Sequence, residues 1–542
     1  MTPSRYPLRA ALADIKNNGA TDADQQVALL YVAAVLQLEQ CPPASANQDA
    51  PFYFALEDDS VGGEGSFRAS LASRIDALLD ILGNEQEQSV HSLYAREVVS
   101  ALGALLHRQI LAEMDALSPS QKKRMKADQR PTVSILGGDY ILIPKYYSSR
   151  SPLQQKDEPD TFVDFFNHKA RQGDGFDPAG PTFSPLHVAV APAALAGRLS
   201  SLQAYSPELN ESLASRPLRE GLRIAVISLP PEAHHAFTVC EKNRDGQDVL
   251  RATEEDTAQS NVLAEAARDV VSQCMDNNID LVVFPEYIRS PGVERAILET
   301  LKGADRKTPM LVVAGSWHDT IESKQNGDAR CTNILRVFAC DSWGVRPLLE
   351  HRKCIPAAVR TPPCIEELYA GPGLSFLETA IGLFSFGICK DFMLYRDDGH
   401  ERQREFSMTK PFISFCPAMS KEVKEFLDLD SPLIKRHGGV FVLANACGMV
   451  RKHLRKEDKC CEGEEDIRSA VMTQQHIYAL ARLDPHGGAE STHGLDKGLI
   501  RPLCGRFVQN SGQDSNNMFV RLSVQSHALE VHDGRGETRI LH

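Results

Sequence analysis

Over residues 22–40 and 66–116, Leu, Ile, Val and Ala return at every third or fourth position, as in ASLASRIDALLDIL and AREVVSALGALLHRQILAEM. That is the spacing of one buried helix face, and it predicts a mainly helical N-terminal part. At 131 the period changes. RPTVSILGGDYILIPKYY carries alternating and continuous apolar residues around Gly-Gly-Asp, the signal of a β-hairpin. Residues 148–185 are rich in Ser, Pro, Gly and Asp, which interrupt regular structure, and a short helix-like patch follows over 191–204. From Leu222 the pattern reads strand (LRIAVISL), helix over 252–276, then strand (IDLVVFPE). Further apolar runs follow: MLVVAGSW, NILRVFAC, VRPLLEHRK, FLETAIGLFSFGICKD, FISFCPAMS and GGVFVLANACG. This predicts an α/β layered domain with antiparallel neighbours where connections are too short for helices. The expected division is a helical domain over 1–147 with a hairpin near 131–147, a linker or irregular segment over 148–215, and the α/β domain over 216–542. There is no internal repeat and no low-complexity tract.

Composition narrows the function classes. With 542 residues, 42% hydrophobic and 24% charged, the chain can bury a large core and build two to four domains of about 150 residues each. A formal net charge of −13 argues against binding nucleic-acid phosphates or anionic lipid. The 13 cysteines follow no repeated spacing, and the opening MTPSRYPLRAALADIKNN lacks the apolar core of a secretory signal, so a reducing cytoplasm is expected. The longest apolar stretch, QQVALLYVAAVLQL, is too short and too polar-flanked to span a membrane.

Three segments place reactive side chains where a β-branched or aromatic run gives way to a loop: VVFPEY with Glu286, EHRKCIP with Lys353 and FSFGICKDF with Cys389. A thiol of ordinary pKa, about 8.5, is mostly protonated at neutral pH, so a cysteine nucleophile needs a neighbouring base or positive charge. A carboxylate, an ammonium and a thiol supply nucleophile, base and charge stabiliser together. Other clusters are weaker. His453, Cys460 and Cys461 lack paired CxxC spacing, so no metal is expected, nor any cofactor. The YRDD string at 395–398 reads as coincidence, and the basic run 451–456 as a solvated loop beside acidic residues.

In this order and on these strand ends, Glu286, Lys353 and Cys389 resemble the nitrilase, or carbon–nitrogen hydrolase, superfamily over roughly residues 220–530. Phe284 and Pro285 precede the Glu as in that family. Gly387, Ile388, Cys389 and Asp391 match its nucleophile strand, GPGLSFLETAIG looks like the approach to it, and VLANACG, with Asn445 and Gly448, is similar to the strand after it. The separations, 67 residues from Glu286 to Lys353 and 36 from Lys353 to Cys389, fit the same plan. The resemblance implies an αββα sandwich, a homodimer or higher oligomer, and hydrolysis of an amide, nitrile or carbamoyl group through a thioester-type intermediate. In it Cys389 is the nucleophile, Glu286 the base and Lys353 the oxyanion stabiliser. Two positions depart from the family. Lys390 stands where an aromatic residue is usual, which leaves an anionic substrate group open. A second Glu that steadies the Lys in many members has only Glu366 and Glu367, some way after Pro356, to take its place. Two other readings are an effector or scaffold in a multi-component bacterial system, such as antiviral defence, with the N-terminal region docking a protein partner, and a binding protein that kept the fold but lost turnover.

Overall fold

The structure, a computed structural model, describes residues 6–18, 23–40, 59–84, parts of 90–110, 132–135, 138–144, 188–219, 222–227, 237–242, 248–252, 257–303, 309–322, 329–360, 363–366, 368–393, 405–406, 408–420, 426 and 439–445. Toward the C-terminus it describes 467–472, 477–481, 500–502, 509–510, 513–514, 518–525 and 528–533. Gly448, Glu367, YRDD, the 451–456 run, His453, Cys460 and Cys461 lie outside the described residues. So do residues 148–187 of the expected linker.

A helix α1 (Pro7–Asn18) precedes the segments of helical period, which are realised in α2 (Ala23–Gln40) and α3 (Asp59–Asn84). Leu12, Leu30, Val35, Leu71 and Leu78 are buried together with Val98 and Leu102. The hairpin forms as β1 (Thr132–Ile135) and β2 (Gly138–Pro144), with Ile135 opposite Gly138, so Gly138 and Asp139 already belong to the second strand. Residues 188–215, expected in the linker, are instead regular. β3 (Val188–Pro192) pairs antiparallel with β2, and a 3-10 turn (Ala193–Arg198), β4 (Leu199–Ser201), α4 (Leu202–Tyr205) and α5 (Pro207–Arg219) follow. The physical reason is in VAVAP, a run of small apolar residues that is buried on both faces, whereas the Pro- and Gly-rich composition that suggested a linker stops before it.

The sheet β1-β2-β3 serves two cores, because successive strand residues face opposite sides. Ile141, Ile143, Ala189 and Ala191 join the core of the α/β layers, while Tyr140, Leu142, Val188 and Val190 join the helical core.

Two further sheets hold the candidate site. After β5 (Leu222–Val226) come β6 (Phe237–Lys242) and β7 (Asp248–Ala252), so α6 begins at Thr257 (Thr257–Asp276) rather than at 252. Next are β8 (Leu281–Val283), α7 (Pro291–Gly303), β9 (Met310–Glu322), β10 (Ala329–Asp341) and β11 (Gly344–Arg352). The short strands β12 (Ala358–Arg360) and β13 (Pro363–Ile365) precede β14 (Ser375–Thr379), β15 (Gly382–Phe386), β16 (Ile413–Ala418) and β17 (Val440–Asn445). The C-terminal strands are β18 (Ile467–Met472), β19 (Ile477–Ala481), β20 (Ile500–Pro502), β21 (Gln509–Asn510), β22 (Gln513–Asp514), β23 (Met518–Gln525) and β24 (Ala528–Asp533).

The first sheet runs β11-β10-β9-β8-β5-β23-β24 and the second β20-β19-β18-β17-β16-β15-β14-β4. One face of the first sheet (Ile224, Val226, Leu281, Val283, Leu311, Val313) shares a core with Phe384, Phe386, Ile413 and Phe415 of the second. Its other face (Ala225, Val282, Val312) packs under α6 and α7 through Leu263, Val271, Val293 and Ile297. The result is a mixed α/β body in which β4 already belongs to the second sheet, ahead of the expected boundary near 215.

Candidate active site

Topology brings the three expected residues to one rim. β5, β8 and β9 are parallel, and β11 follows β9 through two antiparallel pairings, so β8 and β11 end on the same side. Glu286 lies three positions past β8 and Lys353 directly past β11. In the second sheet β15, β16 and β17 are parallel, and past their ends come Cys389, then Met419 and Ser420, with Asn445 closing β17. Ligand crevices form outside the carboxyl ends of such strands.

The Glu286 loop is clipped to β9 at both sides by the Phe284 N–H on the Val313 carbonyl (2.9 Å) and the Arg289 N–H on the Ser316 carbonyl (3.2 Å). The buried Arg289 side chain adds ion pairs to Glu294 and to Asp319 (2.9 Å). Gly315, at φ +78°, permits the close approach: a Cβ there would stand 2.2 Å from the Pro285 carbonyl oxygen. Tyr287 (φ +59°) and Cys389 (φ +48°) are two of only four non-glycine residues with positive φ among those described. Such backbone costs about 1–3 kcal/mol each and recurs at functional sites.

Lys353 is fully buried, and its Nζ donates to Glu286 Oε1 (2.7 Å) and Glu366 Oε2 (2.6 Å). Asn333 on β10 spans the two carboxylates, its Nδ2 being 3.0 Å from Glu286 Oε1 and 3.0 Å from Glu366 Oε1. The remaining Glu286 oxygen accepts the Met419 N–H at 2.9 Å. Asn445 fixes that donor by accepting the Ser420 N–H (2.8 Å) and donating to the Ser420 carbonyl (3.0 Å).

Electrostatics follow from burial. Burial works against the Lys353 ammonium, yet Glu286 and Glu366 together hold its pKa well above the ordinary lysine range. For Glu366 burial is also opposed, by Lys353 and by the His318 hydrogen bond, and the net effect is a carboxylate held low. Glu286 goes the other way: burial and the Glu366 charge raise it, and Lys353 only partly offsets them. Burial and the Glu286 charge push the Cys389 thiol up, with Lys353 and the Met419 N–H opposing. The thiol is therefore protonated at rest, beside a carboxylate tuned toward accepting a proton.

Asp391 ties the Cys389 turn to the strand that ends before Lys353. Its Oδ1 accepts the N–H groups of Cys354 (2.8 Å) and Ile355 (2.9 Å), and its Oδ2 accepts the Ile388 N–H (2.9 Å) and contacts His351 Nε2 (2.9 Å). His351, Cys354 and Asp391 lie within 4.8 Å of one another, but all four lone-pair positions of Asp391 are occupied by these contacts, so the cluster does not suit a metal. Lys390 is half-buried in the 3-10 turn Cys389–Phe392. Of the two acids considered for the support of Lys353, Glu366 makes that contact. Residue-by-residue reading gave no role to Asn333, His318, Tyr287 or the Met419 N–H. The adjacency of Tyr287 to Glu286 was a usable signal, whereas the rest depend on strand register.

No protein-family model and no curated protein matches the chain. The solved structures matching it include nitrilase-superfamily proteins. One is an amidase of Nesterenkonia AN1 (11% identity, TM-score 0.30), with 47% of this chain and 85% of that one covered. Another, from Xanthomonas campestris, is XC1258, a CN-hydrolase superfamily protein (13%, TM-score 0.28, 47% and 83%). A glutamine-dependent NAD+ synthetase of Acinetobacter baumannii matches as well (13%, TM-score 0.29, 47% and 42%). Likeness at these values leaves the chemistry to the side chains themselves. No helix among the described residues is long and apolar enough to cross a membrane.

Proposed function

We propose that this chain is a hydrolase of non-peptide carbon–nitrogen bonds of the nitrilase type, an amidase, built as an αββα sandwich with an added N-terminal helical domain. The observation that supports it is convergence: Lys353 Nζ sits 2.7 Å from Glu286 Oε1, and Glu286 lies close enough to Cys389 for its charge to raise the thiol pKa. Glu286 takes the thiol proton as the sulfur attacks the amide carbon, and the carbonyl π electrons move onto oxygen. Lys353 and the backbone N–H beside Cys389 stabilise that oxyanion. Collapse expels the amine with the proton from Glu286 and leaves a thioester. Glu286 then deprotonates water, which releases the acid and restores the thiol. A nitrile would enter the same route through a thioimidate. A fully buried Lys353 between two carboxylates favours turnover over a scaffold role, in which that desolvation would be cost without return.

The test is intact-mass labelling with iodoacetamide over pH 5 to 9, comparing wild type with Cys389→Ala and Glu286→Gln. Fast labelling at one site, absent in Cys389→Ala and slowed about a hundredfold at pH 7 in Glu286→Gln, is expected and would justify screening amides. Labelling of Cys389 no faster than that of the other cysteines overturns the reading.

A further inference from the structure

The chemistry above gives no part to His318, a buried residue of β9. Its Nδ1 accepts the Ala252 N–H at 2.9 Å, which places the ring proton on Nε2. Nε2 lies 2.9 Å from Glu366 Oε1, and the ring meets Tyr287 edge-on at 4.9 Å. An imidazolium would set a second N–H against that of Ala252, so the backbone anchor selects a neutral ring that can only donate toward Glu366. Glu366 collects five donors: the Tyr287 hydroxyl, His318 Nε2, Asn333 Nδ2, Lys353 Nζ and the Ala357 N–H.

We propose that His318 is a positioning residue of the hydrolase proposed above, on which this inference rests: its Nε2–H keeps the Glu366 carboxylate aimed, so that Lys353 is held between Glu366 and Glu286. A ring that merely filled space would not need its tautomer fixed by a backbone donor. The other titratable groups bearing on Glu366 are Lys353, Glu286, Tyr287 and Cys389, from the segments after β11, β8 and β15. All stay in place in the test below.

The two nitrogens can be separated by substitution in the full chain. In His318→Asn the amide oxygen can still accept the Ala252 N–H but nothing reaches Glu366, whereas in His318→Gln the amide nitrogen can donate to Glu366. Loss of a donor to the charged form raises a carboxylate pKa. Four donors, Lys353 among them, remain, so the carboxylate stays ionised but loses the bond that fixes its orientation toward Lys353. In His318→Asn Cys389 alkylation should therefore slow about tenfold across pH 5.5 to 8.5, with the shape of the profile unchanged. His318→Gln should restore the wild-type rate. The reverse pattern would mean that His318 only anchors β7 through Ala252, and it overturns the proposal, as do identical profiles in all three proteins.

If His318→Asn does not fold, the histidine-selective 15N spectrum of wild type decides, with the His318 signal assigned by its absence in His318→Gln. A ring carrying its proton on Nε2 at pH 8 supports the role, and an Nδ1–H tautomer overturns it. Absence of selective Cys389 labelling in wild type would instead sink the hydrolase reading, an outcome the spectrum does not share.

Discussion

Glu286 and Glu366 touch the same ammonium yet are tuned in opposite senses, so their glutamine variants should behave oppositely. Glu366 is held low, so its stabilising contribution is present above about pH 4.3 and is lost only as pH falls through its lowered value. Glu286 is held high, so the fold favours its neutral form, and that contribution fades as pH rises through its raised value. Glu366→Gln should therefore destabilise the fold at pH 8 by about 3–5 kcal/mol for a broken buried pair, which lowers the unfolding midpoint. Glu286→Gln should leave it unchanged or raise it at pH 8, with a smaller gain at pH 5. Thermal melts of both variants at the two pH values check this, and parallel losses would refute the opposed tuning. Glu286, Lys353 and Cys389 were legible in the sequence because each ends an apolar run. The pairing of Glu366 with Lys353 was not, because it depends on where the short strand β13 ends.

At the scale of elements the site is a row across three strands. His318 on β9 is the direct partner of Asn333 on β10, whose carbonyl accepts the Lys353 N–H (2.9 Å) at the end of β11. Both pairings contain a bulge, between Leu335 and Val337 toward β9 and between Val337 and Phe338 toward β11. Each bulge shifts register by a residue, and with it the face a side chain takes. Period-2 patterning finds the strands but not such offsets. That is why GLFSF, FISFCPA and VFVLAN were recognisable as buried strands while His318 and Asn333 passed unnoticed. Gly315→Ala tests how tightly this row is pressed against the Glu286 loop. Its methyl would lie 2.2 Å from the Pro285 carbonyl oxygen at a φ of +78°. The variant should be destabilised by about 2 kcal/mol or more and should alkylate Cys389 at least tenfold more slowly. Wild-type kinetics would show that the loop yields without moving Glu286.

Across the whole molecule, the sheet β1-β2-β3 joins the helical core to the layered body through alternate residues of the same strands. Leu142 and Ile143 are neighbours in sequence and both are buried, but they serve different cores. Leu142→Ala should cost about 2–5 kcal/mol on the helical side and expose that part to protease first, as read by limited proteolysis with mass mapping. Uniform cleavage along the chain would contradict the division. The helices themselves were plain from their period, and so was the hairpin. The strand β3, which completes the wall, was hidden because the Pro- and Gly-rich tract before it suggested an irregular segment running on to 215.

The buried quartet of Glu286, Glu366, Lys353 and Cys389 contains two carboxylates against one ammonium, and so carries a single surplus electron charge whether the mobile proton sits on sulfur or on oxygen. Passing that proton across changes where the charge lies and not how much of it is buried, so the surrounding dipoles need little rearrangement when the proton leaves sulfur. The same surplus acts as a filter on what approaches the sulfur. An anionic alkylating agent such as iodoacetate should be disfavoured against neutral iodoacetamide by more than the ratio found for a free thiol, and that excess should survive added salt because a dry site is poorly screened.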